Sequence, residues 1–261
     1  MNDFFDFAAK TYDDTFTNSK VGIEQRKKVY KNLGCIFSSE KRLNILELNC
    51  GTGVDAMTFA KNNHSILATD ISQEMLKIAR ERNNDFENVD FEVLDFKDIK
   101  DKVFTEPFDV VFSNFGGLNC LPLNELKNLI DSISNLLAPK GKLIMVLMSK
   151  KCLWERIYFF SKGKFREAKR RNTNNSLLVD VNGAKVPTWY FNPREIENIS
   201  EEKFRITNCT PIGIIIPPSY LEDSFLTTPF IWKKLKKLER GFSNSFWAKY
   251  ADHYLIELTK K

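Results

Sequence analysis

The chain has 261 residues, of which 43% are hydrophobic and 28% are charged, a composition that is typical of a globular protein and excludes a disordered one. It has no apolar run of about 20 residues, which excludes a transmembrane helix, and its acidic start, MNDFFDFAAK, is not a secretory signal. The five cysteines form no CxxC pair, which favours reduced thiols in a cytoplasmic protein and disfavours a structural zinc, and the formal net charge of +5 is too small to indicate a partner.

The part of the chain before the first predicted strand is expected to be helical. Residues 1–19 mix aromatic and acidic side chains, and residues 20–37 place apolar side chains among lysines and arginines, as in a surface helix. An ordinary amphipathic helix is one interpretation of the first part.

Residues 43–55, LNILELNCGTGVD, predict a buried strand, a glycine turn and the start of a helix. Glu47 lies at the carboxyl end of the strand, and Gly51 and Gly53 leave room for a ligand to approach the backbone. Asn49 is a residue type that tolerates a left-handed backbone. The dinucleotide fingerprint G-x-G-x-x-G fits poorly, because Gly51 alone is a glycine among the three aligned positions. A purely structural turn is the alternative.

Two further strands are predicted to end on acids. Residues 65–70, SILATD, end on Asp70 and are followed by a helix N-cap and an amphipathic helix. Residues 89–95, VDFEVLD, alternate apolar and polar side chains and end on Asp95. Since the carboxyl ends of parallel strands share one edge of an open sheet, these two acids and Glu47 would meet there. Three acids at one edge favour a polar ligand.

Alternating strands and helices continue through the next part of the chain. Residues 107–114 predict strand four, residues 123–137 predict a helix, and residues 142–148 predict strand five. A turn containing Lys140 precedes strand five in the stretch LLAPKGKLIMVLM. This alternation is typical of an α/β protein with a parallel sheet.

The segment from strand one to strand five resembles the class I S-adenosylmethionine (SAM) methyltransferases. Glu47 and the two glycines match the acid-x-G-x-G-x-G motif of that family, with Asn49 in place of the first glycine. The stretch LLAPKGKLIMVLM resembles its Leu-x-Pro-Gly-Gly segment, with Lys140 in place of the first glycine. The resemblance implies a single domain, 1–261, with a Rossmann-like α/β fold. Its sheet would be doubly wound, seven-stranded and mostly parallel, with an antiparallel last strand.

The resemblance also implies that SAM is the cofactor and that S-adenosylhomocysteine (SAH) is the product. Asp70 would accept hydrogen bonds from the ribose hydroxyls, and Asp95 would contact the adenine. Met75 would pack on the adenine or, alternatively, in the core. The candidates for cofactor binding are Glu47, Asn49, Gly51, Gly53, Asp70, Ile71, Met75, Asp95, Phe96, Asn114 and Phe115.

Residues 150–192 exceed the usual connection between strands five and six. They are predicted to form a lid of helices and a hairpin, with Asn182 and Gly183 in the hairpin turn. Residues 150–171 contain nine Lys or Arg and two Glu, with aromatic residues between them. A solvated basic face is the first interpretation. The alternatives are an interface for an acidic or amphiphilic substrate, a peripheral contact with an anionic membrane, and an RNA interface.

The end of the chain is predicted to return to the same edge of the sheet. In the family, the last strand, here residues 251–258, lies antiparallel beside strand five, so its start borders the site. Asp252 and His253 are therefore a candidate acid–base pair, although a satisfied core histidine is the alternative. His64 begins strand two at the opposite edge and is interpreted as structural.

The predicted activity is direct transfer of a methyl group from SAM to an oxygen, nitrogen or carbon atom of a small hydrophobic or acidic molecule, without a metal. The sequence lacks the Asn/Asp-Pro-Pro-Tyr/Phe and Pro-Cys motifs of base-methylating enzymes, so nucleic acid is disfavoured as the acceptor. An RNA methyltransferase, a SAM-binding protein without catalysis and a nicotinamide oxidoreductase are the alternatives. Tyr12 and His253 are the candidate bases. The candidates for substrate contact are Tyr12, Arg170, Arg171, Trp189 and Tyr190.

One further match to this family lies in the N-terminal helical segment. Ala9, Tyr12, Asp13 and Phe16 have the Ala-x-x-Tyr-Asp-x-x-Phe pattern that many small-molecule methyltransferases carry near their N-terminus. In that family this segment is a cap that closes over bound SAM, so the resemblance implies that residues 1–36 form such a helical cap. The oligomeric state is not assigned from the sequence.

Overall fold

Strands of this chain form two separate sheets in the computed structural model, which describes residues 2–181 and 183–261, with side chains from residue 5 onward. The predicted turn residue Asn182 lies outside the described residues. The strands are β1 (Asn44–Leu48), β2 (Ser65–Asp70), β3 (Val89–Val93), β4 (Phe108–Ser113), β5 (Leu137–Met148), β6 (Leu177–Val181), β7 (Ala184–Thr188), β8 (Phe204–Ile212) and β9 (His253–Lys260).

Helices pack on both faces of the main sheet. A π-helical turn, Asp13–Thr17, follows the first helix, and short 3-10 turns occur in the loops, including Phe96–Asp98 and Gly117–Cys120. The α-helices are α1 (Asn2–Tyr12), α2 (Lys20–Asn32), α3 (Gly34–Phe37), α4 (Val54–Lys61), α5 (Gln73–Arg82), α6 (Leu123–Leu136), α7 (Leu153–Ser161), α8 (Pro193–Ser200) and α9 (Pro229–Glu239).

The main sheet has seven strands in the order β3-β2-β1-β4-β5-β9-β8. The first five strands pair in parallel, and β9 lies antiparallel between β5 and β8. The predicted α/β fold with an antiparallel last strand is therefore confirmed. The register places Glu47 beside Ala68 of β2 and Phe112 of β4, so the ends of these strands reach one common edge.

Each face of the sheet has its own apolar layer, because successive side chains of a strand point to opposite faces. Leu46, Val111 and Leu143 pack on the face covered by α6. Ile45 and Val110 pack on the other face, with apolar side chains of α2 and α4. This burial on both sides explains why the strands read as continuous apolar runs in the sequence.

Two strand boundaries differ from the predicted ones. β3 ends at Val93, and Asp95 instead caps the 3-10 turn that follows, where its carboxylate accepts a hydrogen bond from the backbone N–H of Lys97 at 3.0 Å. β5 begins at Leu137, before the predicted turn. That turn is a bulge inside the strand, in which Lys140 has a φ of 62°.

The segment that was predicted as a lid contains α7 and the hairpin of β6 and β7. In the hairpin, Leu177 pairs with Thr188 and Val181 pairs with Ala184. The hairpin contacts α1 and the turn at residues 117–120. Within the described residues, no helix combines the length and the apolar character that crossing a membrane would require.

Candidate active site

The turn after β1 has a left-handed backbone at three positions. The φ angles are 47° at Asn49, 53° at Gly51 and 76° at Gly53. A Cβ at Gly53 would lie 2.8 Å from the Ala79 Cβ, so this glycine lets α4 pack on α5. A Cβ at Gly51 would have the Tyr12 ring, at 3.9 Å, as its nearest neighbour. Gly51 therefore borders the space under the cap, and Gly53 has a packing role, while its contact with a ligand stays a prediction.

Asn49 connects the turn to the end of β4. Its Nδ2 donates to the carbonyl of Asn114 at 2.8 Å, and its Oδ1 accepts from the Ser113 hydroxyl at 2.5 Å. A Cβ at Gly117 would lie 2.3 Å from the Asn49 Cγ. Asn49, which replaces the first motif glycine, therefore occupies space that is free because residue 117 is a glycine.

Substitution of Gly117 by alanine is expected to destabilise the protein by about 1–3 kcal/mol, because hydrogen bonds hold the Asn49 side chain in the clashing position. Adding Asn49→Gly removes the clash, so the double variant should regain part of the lost stability, with a coupling of about 0.5–3 kcal/mol. Urea denaturation of the four proteins measures this coupling. Strictly additive effects would contradict the proposed steric complementarity.

Asp70 ends β2 with its carboxylate held by the backbone. Oδ2 accepts from the N–H of Gly51 at 2.9 Å, and Oδ1 accepts from the N–H of Ser72 at 2.9 Å. Burial raises the pKa of Asp70, although these backbone donors act in the opposite direction. Each carboxylate oxygen can accept more than one hydrogen bond, so the group can receive further donors at the sheet edge.

Beside it lies a cluster of buried charges that includes Glu47. The Asp55 carboxylate lies 3.1 Å from the Arg26 Nε and accepts hydrogen bonds from the Tyr30 hydroxyl at 2.5 Å and from the Asn114 Nδ2 at 2.9 Å. Glu47 is 1% exposed, and its Oε2 has no hydrogen-bond partner in the described part of the chain. Burial is the main reason why the pKa of Glu47 is raised well above its usual value, and the negative charge of the nearby Asp55 raises it further.

Sequence reasoning missed Arg26 and Tyr30. Arg26 lies four residues after Gly22 and three before Val29, both of which are buried on α2. A charged residue on the buried stripe of an amphipathic helix is a signal for a partnered charge. That signal could have identified Arg26, although not its partner Asp55.

The cap lies against the glycine turn. The Thr52 hydroxyl donates to the Asp13 carboxylate at 2.7 Å. The Phe16 ring lies between those of Tyr12 and Phe115, at centroid distances of 5.9 and 5.0 Å. Burial raises the pKa of Tyr12 to about 12, so its hydroxyl is protonated at neutral pH and can donate a hydrogen bond, while its role as a base stays a prediction.

Phe115 follows the end of β4 at the carboxyl edge of the sheet. Its φ of 44° is uncommon for a bulky side chain, and such strain occurs often at functional sites. The Asn114 Oδ1 accepts from the N–H of Phe115 at 3.0 Å. The ring meets His253 edge-on at 5.6 Å, and the Arg26 guanidinium lies 5.2 Å from its centroid. These predicted residues are therefore neighbours.

Asp252 immediately precedes β9, and His253 is its first residue. The His253 Nδ1 is 3.2 Å from the Asp252 Oδ2, and the Arg171 guanidinium is 3.1 Å from Oδ1. Gln25 donates to Oδ2 at 3.3 Å. Burial alone would raise the pKa of Asp252, but His253 and Arg171 hold it below its usual value. The carboxylate is therefore a fixed negative charge beside the imidazole.

The arginines that were predicted to contact substrate are held by a buried acid. The Glu155 carboxylate pairs with the Arg170 Nε at 2.7 Å and with the Arg171 Nε at 2.8 Å. The Arg171 guanidinium also lies 4.8 Å from the Tyr190 ring centroid. Trp189 does not take part in these ion pairs. Its backbone N–H donates to the carbonyl of Asn119 at 2.7 Å. Glu155, an isolated acid in a basic segment, was not identified from the sequence.

The remaining predicted cofactor residues lie around the first turn of α5 and the loop after β3. Ile71 follows Asp70 and is half-buried. Met75 is buried, and its N–H donates to the N-cap hydroxyl of Ser72 at 3.1 Å. Phe96 is partly buried against the apolar layer on the α6 side.

Sequence comparisons place this chain among methyltransferases. A family model described as "Methyltransferase domain" matches residues 39–208. An uncharacterised protein of Methanocaldococcus jannaschii is 26% identical over 251 residues, which cover 90% of this chain and 91% of that protein. Malonyl-[acyl-carrier protein] O-methyltransferase 2 of Ilyobacter polytropus is 29% identical over 157 residues, which cover 59% of this chain and 56% of that enzyme.

Solved structures share the fold at low identity. The DhpI–SAH complex has a TM-score of 0.59 at 15% identity, with 98% of this chain and 93% of that chain covered. Magnesium protoporphyrin IX methyltransferase of Synechocystis PCC 6803, with bound SAH, has a TM-score of 0.58 at 12% identity, with 92% and 85% covered. The predicted class I methyltransferase fold is confirmed, and the chain belongs to the methyltransferase domain family.

Proposed function

We propose that this protein transfers the methyl group of SAM to a small molecule. The observation that carries the proposal is the charge at the carboxyl edge of the sheet, where Glu47, Asp55 and Asp70 are buried with Arg26. SAM has a sulfonium and an ammonium group and one carboxylate. A site with more anions than cations suits such a ligand.

Two buried atoms of the site support this fit. Within the described residues, the Glu47 Oε2 has no hydrogen-bond partner, which is costly unless a ligand supplies one. The Arg26 Nε lies 3.1 Å from the Asp55 carboxylate but is not hydrogen-bonded to it. Arg26 would hold the carboxylate of SAM, and Glu47 would accept from its ammonium group. Asp70 would accept from the ribose hydroxyls, and Gly51 gives the ligand access to the backbone.

The other predicted residues would enclose the rest of the cofactor. Asp95, Phe96 and Met75 would contact the adenine, and Asn114 and Phe115 would flank the methyl group. We propose that residues 1–36 act as the cap over the cofactor. Residues 150–192 would cover the acceptor side, since Arg171 connects this segment to Asp252 at the site edge.

The bound cofactor supplies an activated methyl group, so the protein has to orient the acceptor and exclude water. Phe16 and Phe115 form an apolar wall over the turn. The Asp252 carboxylate lies 3.2 Å from the His253 Nδ1, although this contact lacks hydrogen-bond geometry in the described residues, and the Nε2 would accept a proton from the acceptor. This pair favours an acceptor that loses a proton, such as a hydroxyl group.

His253→Gln is expected to lower kcat for a hydroxyl acceptor by about 10²–10⁴-fold and to leave SAM affinity unchanged. Tyr12→Phe is the matched comparison and should keep the pH profile of kcat, because the Tyr12 hydroxyl stays protonated. SAH formation is measured with phenols, quinols, carboxylic acids and amines as acceptors. SAM binding without SAH formation from any of these acceptors would contradict the proposed activity.

SAM affinity is expected to rise as the pH increases above the ordinary titration range of a glutamate, by up to about tenfold per pH unit. In the free protein, burial and Asp55 raise the pKa of Glu47 well above its usual value, so this carboxyl keeps its proton to a higher pH than an exposed glutamate does. An ammonium beside it lowers that pKa, so binding releases the proton and becomes stronger as the pH rises. Calorimetry in buffers of different ionisation enthalpy measures the released proton. Equal proton release by Glu47→Gln would refute this assignment.

A further inference from the structure

Helix α7 has an apolar stripe on its exposed side. Leu153, Ile157 and Phe160 follow each other at four- and three-residue spacing and are 37%, 52% and 45% exposed. Phe165, 64% exposed, extends the stripe, with its ring 5.6 Å from that of Phe160. We call residues 151–169 the α7 surface. Large apolar side chains that are exposed together, rather than singly, indicate a contact with something else.

The stripe is not needed to attach α7 to the rest of the protein. Glu155, on the other side of the helix, is buried and pairs with both Arg170 and Arg171. The Trp154 Nε1 donates to the carbonyl of Ile215 at 3.1 Å, and the Tyr158 ring lies 5.9 Å from that of Tyr220. These contacts hold the helix and leave its apolar stripe unoccupied in the described structure.

Cations flank this stripe along the sequence. Of the nine Lys and Arg in residues 150–171, Lys150 pairs with Glu195, and Arg170 and Arg171 pair with Glu155. In the described structure the other six form no ion pair with a carboxylate, and Glu167 is the one acid among them. These six are Lys151, Arg156, Lys162, Lys164, Arg166 and Lys169.

We propose that the α7 surface docks on an anionic lipid bilayer. Apolar side chains that can enter the acyl region, flanked by cations that can meet acidic headgroups, have the complementarity this surface needs. An RNA strand would leave the aliphatic side chains of Leu153 and Ile157 without a stacking partner. A second copy of the chain would bring two cationic surfaces together, which repel each other.

The position of α7 connects this docking to the site. Glu155 of α7 is joined through Arg171 to Asp252, at the edge where the acceptor is proposed to bind. A bilayer under α7 would therefore lie near the entry of an amphiphilic acceptor. This last step rests on the proposed function, whereas the docking itself does not.

Flotation with vesicles tests the proposal. The full chain should bind vesicles of phosphatidylglycerol and phosphatidylcholine about tenfold or more tightly than vesicles of phosphatidylcholine alone, and high salt should weaken this binding. Ile157→Ser/Phe160→Ser/Phe165→Ser and, separately, Lys164→Glu/Arg166→Glu should each lose about tenfold. The substituted side chains are exposed or only partly buried, and circular dichroism verifies that the variants fold.

Matched controls come from other exposed positions. Val103→Ser, at a side chain that is 90% exposed, and Lys61→Glu/Lys77→Glu should bind vesicles within about twofold of the wild type. Equal binding to neutral and anionic vesicles, or unchanged binding by both α7 variants, would overturn the proposal. So would salt-dependent binding of poly(U) RNA, or dimer formation through α7, without vesicle binding. A separate measurement of SAM binding distinguishes failure of the docking proposal from failure of the proposed function.

Discussion

Asp70→Ala is expected to weaken SAM binding by about a hundredfold or more. The carboxylate is held at the sheet edge by the N–H groups of Gly51 and Ser72, both at 2.9 Å. Its loss removes the acceptor for two ribose hydroxyls, and each hydrogen bond to a charged group contributes about 1.5–3 kcal/mol. It also frees the N–H of Gly51 in the turn under the cofactor. Titration calorimetry measures the change.

Two variants test whether the effect depends on the charge of Asp70 and on its position in the fold. Asp70→Asn keeps one carbonyl acceptor and should bind SAM more weakly than the wild type but more tightly than Asp70→Ala. Asp90→Ala removes an exposed acid of β3 and should bind as the wild type does. Wild-type affinity in Asp70→Ala, with the fold intact by circular dichroism, would exclude Asp70 as the ribose anchor.

Arg171→Ala is expected to lower the free energy of unfolding by about 3–5 kcal/mol, because it leaves buried charges without their partner. Glu155 is 2% exposed and Asp252 is 4% exposed, and the Arg171 guanidinium contacts both. Arg170→Ala is the matched control. That side chain pairs with the same glutamate but is 41% exposed, so its loss should cost at most about 1 kcal/mol.

Denaturant unfolding at several pH values tests both parts of this expectation. Because the folded protein holds the pKa of Asp252 below its usual value, the stability from this carboxylate is present above about pH 4 and is lost as the pH falls further. Arg171→Ala should weaken this pH dependence. Equal destabilisation by the two arginine variants would show that the ion pairs of Arg171 do not connect the inserted segment to β9.

The sheet and its edge could be predicted because their signals are local. Apolar runs that end on Glu47 and Asp70 and the glycine turn between strand and helix lie within a few residues of each other. The end of β3 was predicted two residues too late, since Leu94 continues the apolar pattern. Asp95 leaves the strand there because its side chain accepts from the N–H of Lys97.

The pairings inside the site could not be predicted, because they join distant positions. Arg26 meets Asp55 across the cap and the turn, and Arg171 meets Asp252 across 81 positions. Gly117 leaves room for Asn49, a relation that no single motif contains. A sequence shows which residue types are available at an edge, whereas the fold decides which of them neutralise each other and which remain for a ligand.

Calorimetric titration of SAM and SAH into the wild-type protein tests the central claim most directly, with NADH as the comparison. We expect one site per chain with micromolar dissociation constants for both ligands, and no competition from NADH. Absence of binding by SAM and SAH, or tighter binding of NADH, would contradict the assignment of the acidic edge to SAM.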